Sequence, residues 1–182
     1  MRWLPVAFGV AIGTLSGVAA VQHARPGTAG AGASWHEIAW PFPRDGWPAG
    51  RAFRCAASAC GGQVELYVRP KIGFCNCDSG VADDDEVDRV ADLDLMSQRF
   101  VPLEAGKVVQ IAAMDGRSRA YDLKMTDGSS HTAIGFALSH RCDLMVAVAQ
   151  GKGAAAGVQR AALDFLDSTE MVRWMATALN GG

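Results

Sequence analysis

Five cysteines, Cys55, Cys60, Cys75, Cys77 and Cys142, carry most of the chemistry the sequence offers, and four of them fall between positions 55 and 77. In an exported chain, disulfides are the default use of such a cluster. Cys55 and Cys60 flank a turn-like stretch, CAASAC, and can face each other across a hairpin. Cys75 and Cys77 are two apart, so a bond between them closes a very small strained ring, and cross-pairing of the two sets stays open. Four cysteines allow three connectivities, and spacing does not choose among them. Cys142, the remaining cysteine, is expected to be the free thiol.

Thiolates also bind zinc and cuprous copper. Structural zinc sites use two or more pairs spaced C-x₂₋₄-C. Here C-x₄-C is at the edge of that range and C-x-C departs from it, so Cys55, Cys60, Cys75 and Cys77 are a metal set only as the alternative to disulfides. The C-x-x-C of thiol oxidoreductases and the C-x-x-C-H of haem attachment are missing. Cys142 lies in SHRCD beside His140 and Asp143. Residues that close in sequence rarely arrange for proton transfer to a nucleophile, so His140 and Cys142 are expected as corner and core residues. His23, His36 and His131 form no ligand spacing, and no G-x-S-x-G, H-E-x-x-H or phosphate loop occurs. No catalytic residue, metal site or cofactor is assigned, and an enzyme is not expected.

The seven acids between Asp83 and Asp94 invite a calcium reading. An EF-hand loop needs Gly at its sixth position and Glu at its twelfth. Counted from Asp83, those places hold Asp88 and Asp94, and Arg89 intrudes. A solvated helix face is expected instead.

The elements that position these groups begin with a targeting segment. Trp3 to Val21 is 19 residues without a charge, after a positive Met1-Arg2 start. As a helix it is roughly 28 Å long, close to a bilayer's hydrocarbon thickness. Val18-Ala19-Ala20 would serve equally as a cleavage site. Gly9, Gly13 and Gly17 fall on one helical face, the small-xxx-small pattern that lets a second membrane helix approach closely. The expected organisation is a signal-anchor or transmembrane helix at 1–22, a Gly/Ala/Pro-rich flexible linker at 23–34, and an exported domain at 35–180.

The domain's 49% apolar and 20% charged residues suit one packed core, and the net charge of −2 with no basic face argues against a nucleic-acid partner. Trp35, Trp40, Phe42 and Trp47 are interleaved with Pro41, Pro43 and Pro48. Prolines this dense exclude a helix and a central strand, so the rings are expected to cover the sheet in extended chain, with an aromatic docking surface as the alternative. RAFRCA and QVELYV read as two strands, with Val64, Leu66 and Val68 on one face and Glu65 and Tyr67 on the other.

A helix is expected over 80–96, capped by Asp83 or Asp84. A four-stranded meander follows over 107–150, turning at Asp115-Gly116, within a loop holding Asp127-Gly128, and at HRC. Two amphipathic helices end the chain, the second with Asp167 as N-cap and Glu170 as its partner. The fold class is therefore α+β: an antiparallel sheet, made of the C-terminal meander and an N-terminal hairpin, covered by helices and preceded by one apolar helix. The function this supports is a non-catalytic accessory or interaction subunit. It would be held single-pass in a bacterial inner membrane with its domain in the periplasm, or be soluble there if the signal is cleaved, and its expected partner is a transmembrane helix of another subunit. A cysteine-based metal-binding or thiol-redox periplasmic protein is the alternative.

Overall fold

A computed structural model describes residues 34–181. The expected anchor at 1–22, with Gly9, Gly13 and Gly17, and nearly all of the expected linker lie outside the described residues. Among those described, no helix is long and apolar enough to cross a membrane.

The chain enters on strand β1, Trp35–Ile38, and after the proline-rich stretch forms β2, Arg51–Cys55. A single helical turn, α1 at Ala57–Cys60, ends on left-handed Gly61 and leads to β3, Val64–Lys71. The three strands pair antiparallel, with Trp35 opposite Cys55 and Cys55 opposite Val64. The expected hairpin is thus present, widened by α1 and extended by an edge strand. Pro70 sits inside β3, where proline is normally excluded. Pairing with β2 stops at Val68, and Pro70 pairs only with a strand on the other side. Its missing N–H therefore falls where β3 has already become an edge.

Helix α2, Asp84–Val90, is capped by Asp83, whose carboxylate accepts from the Glu86 N–H at 3.0 Å. The single helix expected over 80–96 breaks at Asp92, which adopts a left-handed φ of 59°, and resumes as α3, Leu93–Met96. A short strand, β4 at Phe100–Pro102, was not expected from the sequence.

The meander consists of β5, Lys107–Ile111, β6, Met114–Lys124, β7, Ser130–His140, and β8, Asp143–Gly151. Its first turn differs from expectation. The chain reverses at Ala112-Ala113, with Ala112 at φ 53°, while Asp115 and Gly116 lie in β6. Gly116 serves close approach instead of the turn, because a Cβ there would collide with the Ala137 carbonyl of β7. The other two corners fall as expected, near Gly128 at φ 83° and at Arg141 at φ 58°.

The eight strands of the described residues form one antiparallel sheet in the order β1-β2-β3-β8-β7-β6-β4, with β5 also on the outer edge of β6. Helices α4, Ala155–Leu166, and α5, Thr169–Asn180, cover one face. The cap of α5 is Ser168, accepting from the Met171 N–H at 3.4 Å, so the expected Asp167 cap is displaced by one residue. On this face Val64, Leu66, Phe136, Phe165, Met171 and Met175 are buried together. On the opposite face Val87, Val90 and Leu93 of α2 and α3 pack over Tyr121, Leu123 and Val146.

Candidate functional site

The cysteines resolve into two disulfides and one thiol. Cys55 bonds Cys60 across α1, with Cα atoms 6.1 Å apart. Cys77 bonds Cys142, at the tip of the β7–β8 hairpin, with Cα atoms 4.3 Å apart. Cys75 is the free thiol, half-buried. This corrects the expectation that Cys142 is free and that Cys75 belongs to the bonded four. The cause is a long-range contact: the Cys75 N–H donates to the Cys142 carbonyl at 3.0 Å, which lays residues 74–77 across the hairpin tip. Cys142 is thereby oxidised and has no thiol to act as a nucleophile beside His140. Asp143 is occupied in accepting from the Gly73 N–H at 2.6 Å. Among the described residues, no three His, Cys, Asp or Glu side chains group as metal ligands.

The acidic run is not simply a solvated face. Asp84 and Asp88 are four apart on α2, a rise of about 6 Å, and alternate residues of a strand are about 6.6 Å apart. The match lets the helix dock by charge. Asp84 accepts from Arg117 at 2.6 Å and from the Gly106 N–H at 2.8 Å. Asp88 accepts from Arg119 at 2.8 Å and from the Tyr121 hydroxyl at 2.6 Å. Burial, and then the adjacent Asp88 carboxylate, push the Tyr121 phenol well above its usual range, so it stays a donor. Gly135 of β7 leaves room beneath, since a Cβ there would lie 2.9 Å from that of Ala91.

Asp92 continues the series. Its carboxylate takes Arg69 at 2.7 Å and Lys71 at 2.6 Å, and this pull accompanies the helix break. Arg69, 3% exposed, also forks onto both oxygens of Asp45 at 2.8 and 2.7 Å. Lys71, 6% exposed, donates to the Val90 carbonyl at 2.8 Å. The Arg69 guanidinium holds the Asp45 carboxyl down to about 2. Trp47 and Phe74 stand over the Lys71 ammonium, and these groups line a recess of about 500 Å³. Its buried cations are matched by carboxylates, so its chemistry is to lock the 40–48 segment onto the sheet. The aromatic rings do cover the sheet: Trp40 and Phe42 pack edge-on to Tyr67, Trp47 to Phe74, and Trp35 stacks on Phe165.

A larger cleft, about 1120 Å³, runs along α4. Trp35, Cys60, Val109, Ile111, Ala161 and Leu163 are among its walls. It borders the outer edge of β5, which among the described residues pairs only with β6. Nearby on the same margin of the sheet, Val101, Leu103 and Val108 are 61%, 54% and 76% exposed. Among the described residues this edge, like that of β1, leaves backbone donors and acceptors unpaired, and here exposed apolar side chains stand beside it.

No protein-family model matches the chain, and no curated protein matches it. Among solved structures it is similar to the cyanobacterial PsbP protein (CyanoP) of Synechocystis, with a TM-score of 0.43 and 11% identity over 73% of this chain and 78% of that one. It is also similar to PA94, a Pseudomonas aeruginosa protein of unknown function, with a TM-score of 0.34 and 12% identity over 80% of each chain. Both are likenesses of fold alone.

Proposed function

We propose that the protein is a non-catalytic accessory subunit, held in a bacterial inner membrane by residues 1–22, with its α+β domain in the periplasm and bound to a larger membrane complex. The observation that carries the compartment is cysteine usage: four of five cysteines are paired as disulfides, bonds that persist in oxidising compartments. The interaction role draws on the glycine face at 9, 13 and 17 and on the open β5 edge beside the cleft. Such an edge accepts an extended segment of a partner as a further strand, with side chains entering the cleft.

The test is Gly13→Leu in the full chain. The variant is expected to remain in the membrane fraction, to lose the subunit that co-purifies with the wild type in detergent, and to keep the domain's melting temperature. A mature N-terminus at or just after Val21, or an unchanged set of co-purifying subunits, overturns the proposal.

The thiol-redox alternative has one observation in its favour, the Cys75 thiol against the Cys77–Cys142 disulfide. With four cysteines bonded, a single thiol is left for the metal version. Elemental analysis with thiol counting separates the readings.

A further inference from the structure

Two cysteines lie beside Cys142, and only one of them holds it. Cys77 is bonded, at a Cα separation of 4.3 Å. The backbone of Cys75 is hydrogen-bonded to that of Cys142 at 3.0 Å. Standard backbone dimensions then hold the two Cα atoms within about 7 Å of each other, the outer limit at which two cysteines can be bridged. The Cys75 side chain is a free thiol, packed against the margin of the α2-side core. Cys77, by contrast, lies at an exposed position in the turn that follows.

We infer that Cys142 is a shared sulfur: Cys75 exchanges with Cys77 for it, and the exchange delivers a reactive thiol at Cys77 on the surface. The step is internal. Cys75 gives its proton to water, and the resulting thiolate attacks the Cys142 sulfur. The Cys75–Cys142 bond forms as the Cys77–Cys142 bond breaks, and Cys77 leaves as a thiolate that takes up a proton. No oxidant or reductant is consumed. The surface thiolate of Cys77 is then a site for disulfides, small or on a protein. It bonds one sulfur of the incoming pair and releases the other as a thiolate. Burial, and then the charges of Glu86 and Asp143, raise the Cys75 thiol above its usual range. The thiol form thus predominates at rest and the exposed isomer forms only slowly.

This inference does not depend on how the protein is anchored or on what it binds. The test is alkylation of the oxidised full chain in detergent with N-ethylmaleimide, followed by peptide mapping under non-reducing conditions. In the wild type, Cys77 is expected to become labelled alongside Cys75, in molecules that carry a Cys75–Cys142 bond. In Cys75→Ser, labelling of Cys77 should vanish. In Cys77→Ser, refolded in a glutathione buffer, a Cys75–Cys142 bond should form and leave no labelled cysteine. Label confined to Cys75 in the wild type overturns the inference. So does Cys77 label that persists in Cys75→Ser, or two labelled thiols in a folded Cys77→Ser. If Cys77→Ser does not fold, the wild type and Cys75→Ser decide alone.

Discussion

Helices α4 and α5 lie on one face of the sheet, α2 and α3 on the other, and the two coverings differ in what fixes them. On the α4–α5 face the contacts are mainly hydrocarbon, with Gln159 donating to Ser118 at 3.0 Å and Arg51 to Glu170 at 3.4 Å as polar additions. Phe165 stacks on Trp35 with ring centroids 4.8 Å apart and meets Phe53 at 4.9 Å, and Met171 and Met175 fill the space beside them. Such contacts are non-directional and scale with the area removed from water. On the α2 face, Asp84, Asp88 and Asp92 meet Arg117, Arg119, Tyr121, Arg69 and Lys71 in a fixed order. Here the apolar contacts of Val87 and Val90 supply burial, while the ion pairs set the register of helix on sheet. One face is held by buried area and the fit of its rings; the other is held in the register at which Asp84, Asp88 and Asp92 meet their partners.

The comparison can be broken most forcefully at Phe165. Phe165→Ala is expected to cost about 4 kcal/mol, from lost transfer energy plus the cavity left between Trp35 and Phe53, read as a lowered midpoint in urea. A cost under about 1 kcal/mol would mean that this face repacks freely or does not hold the fold. Next comes Asp92→Asn, which keeps a residue tolerant of left-handed backbone and removes only the charge. It leaves Lys71 buried without its counter-ion and is expected to cost about 3 kcal/mol. A neutral or stabilising result would show that burial alone fixes α2 and would erase the distinction between the faces.

The smallest effect is a pH dependence at the recess. The Asp45 carboxyl is held at about 2 when folded, against an ordinary value of 3.8, first by its hydrogen bond to Arg69. A lowered folded value means its contribution is complete above pH 3.8 and fades as pH falls toward 2. Trp47 fluorescence should therefore report the 40–48 segment loosening in that window, before the sheet unfolds. Asp45→Asn should remove this step, and an unchanged acid profile in the variant would place the lock elsewhere.

Much of the fold is legible in local patterns. The alternation of Val64, Leu66 and Val68, and the helical spacing of Val158, Ala162 and Phe165 and of Met171, Met175 and Leu179, each name a buried face, and each is buried. Turn chemistry misleads at Asp115-Gly116, because glycine serves a close strand approach there as readily as a reverse turn. The charge pairing of α2 was half visible. Acids four apart and Arg117, Arg119 and Tyr121 two apart are complementary patterns, though only a fold places one above the other. The Cys77–Cys142 bond was not visible, since residues 65 apart share no periodicity. The glycines at 9, 13 and 17 lie beyond the described residues.

That separation of 65 residues has a consequence for the order in which the chain is made. Synthesis runs from the N-terminus, so Cys55, Cys60, Cys75 and Cys77 all emerge while Cys142 is still to come. Cys55 meets its native partner within five residues. Cys77 must wait until α2, α3 and β4 through β7 have been added, since the ring it closes encloses all of them. Throughout that interval its nearest oxidation partners are wrong ones, in a loop too short to resist them. If the chain is oxidised as it emerges, the Cys77–Cys142 bond forms only by later thiol exchange or after a delay, a condition that the Cys55–Cys60 bond does not impose.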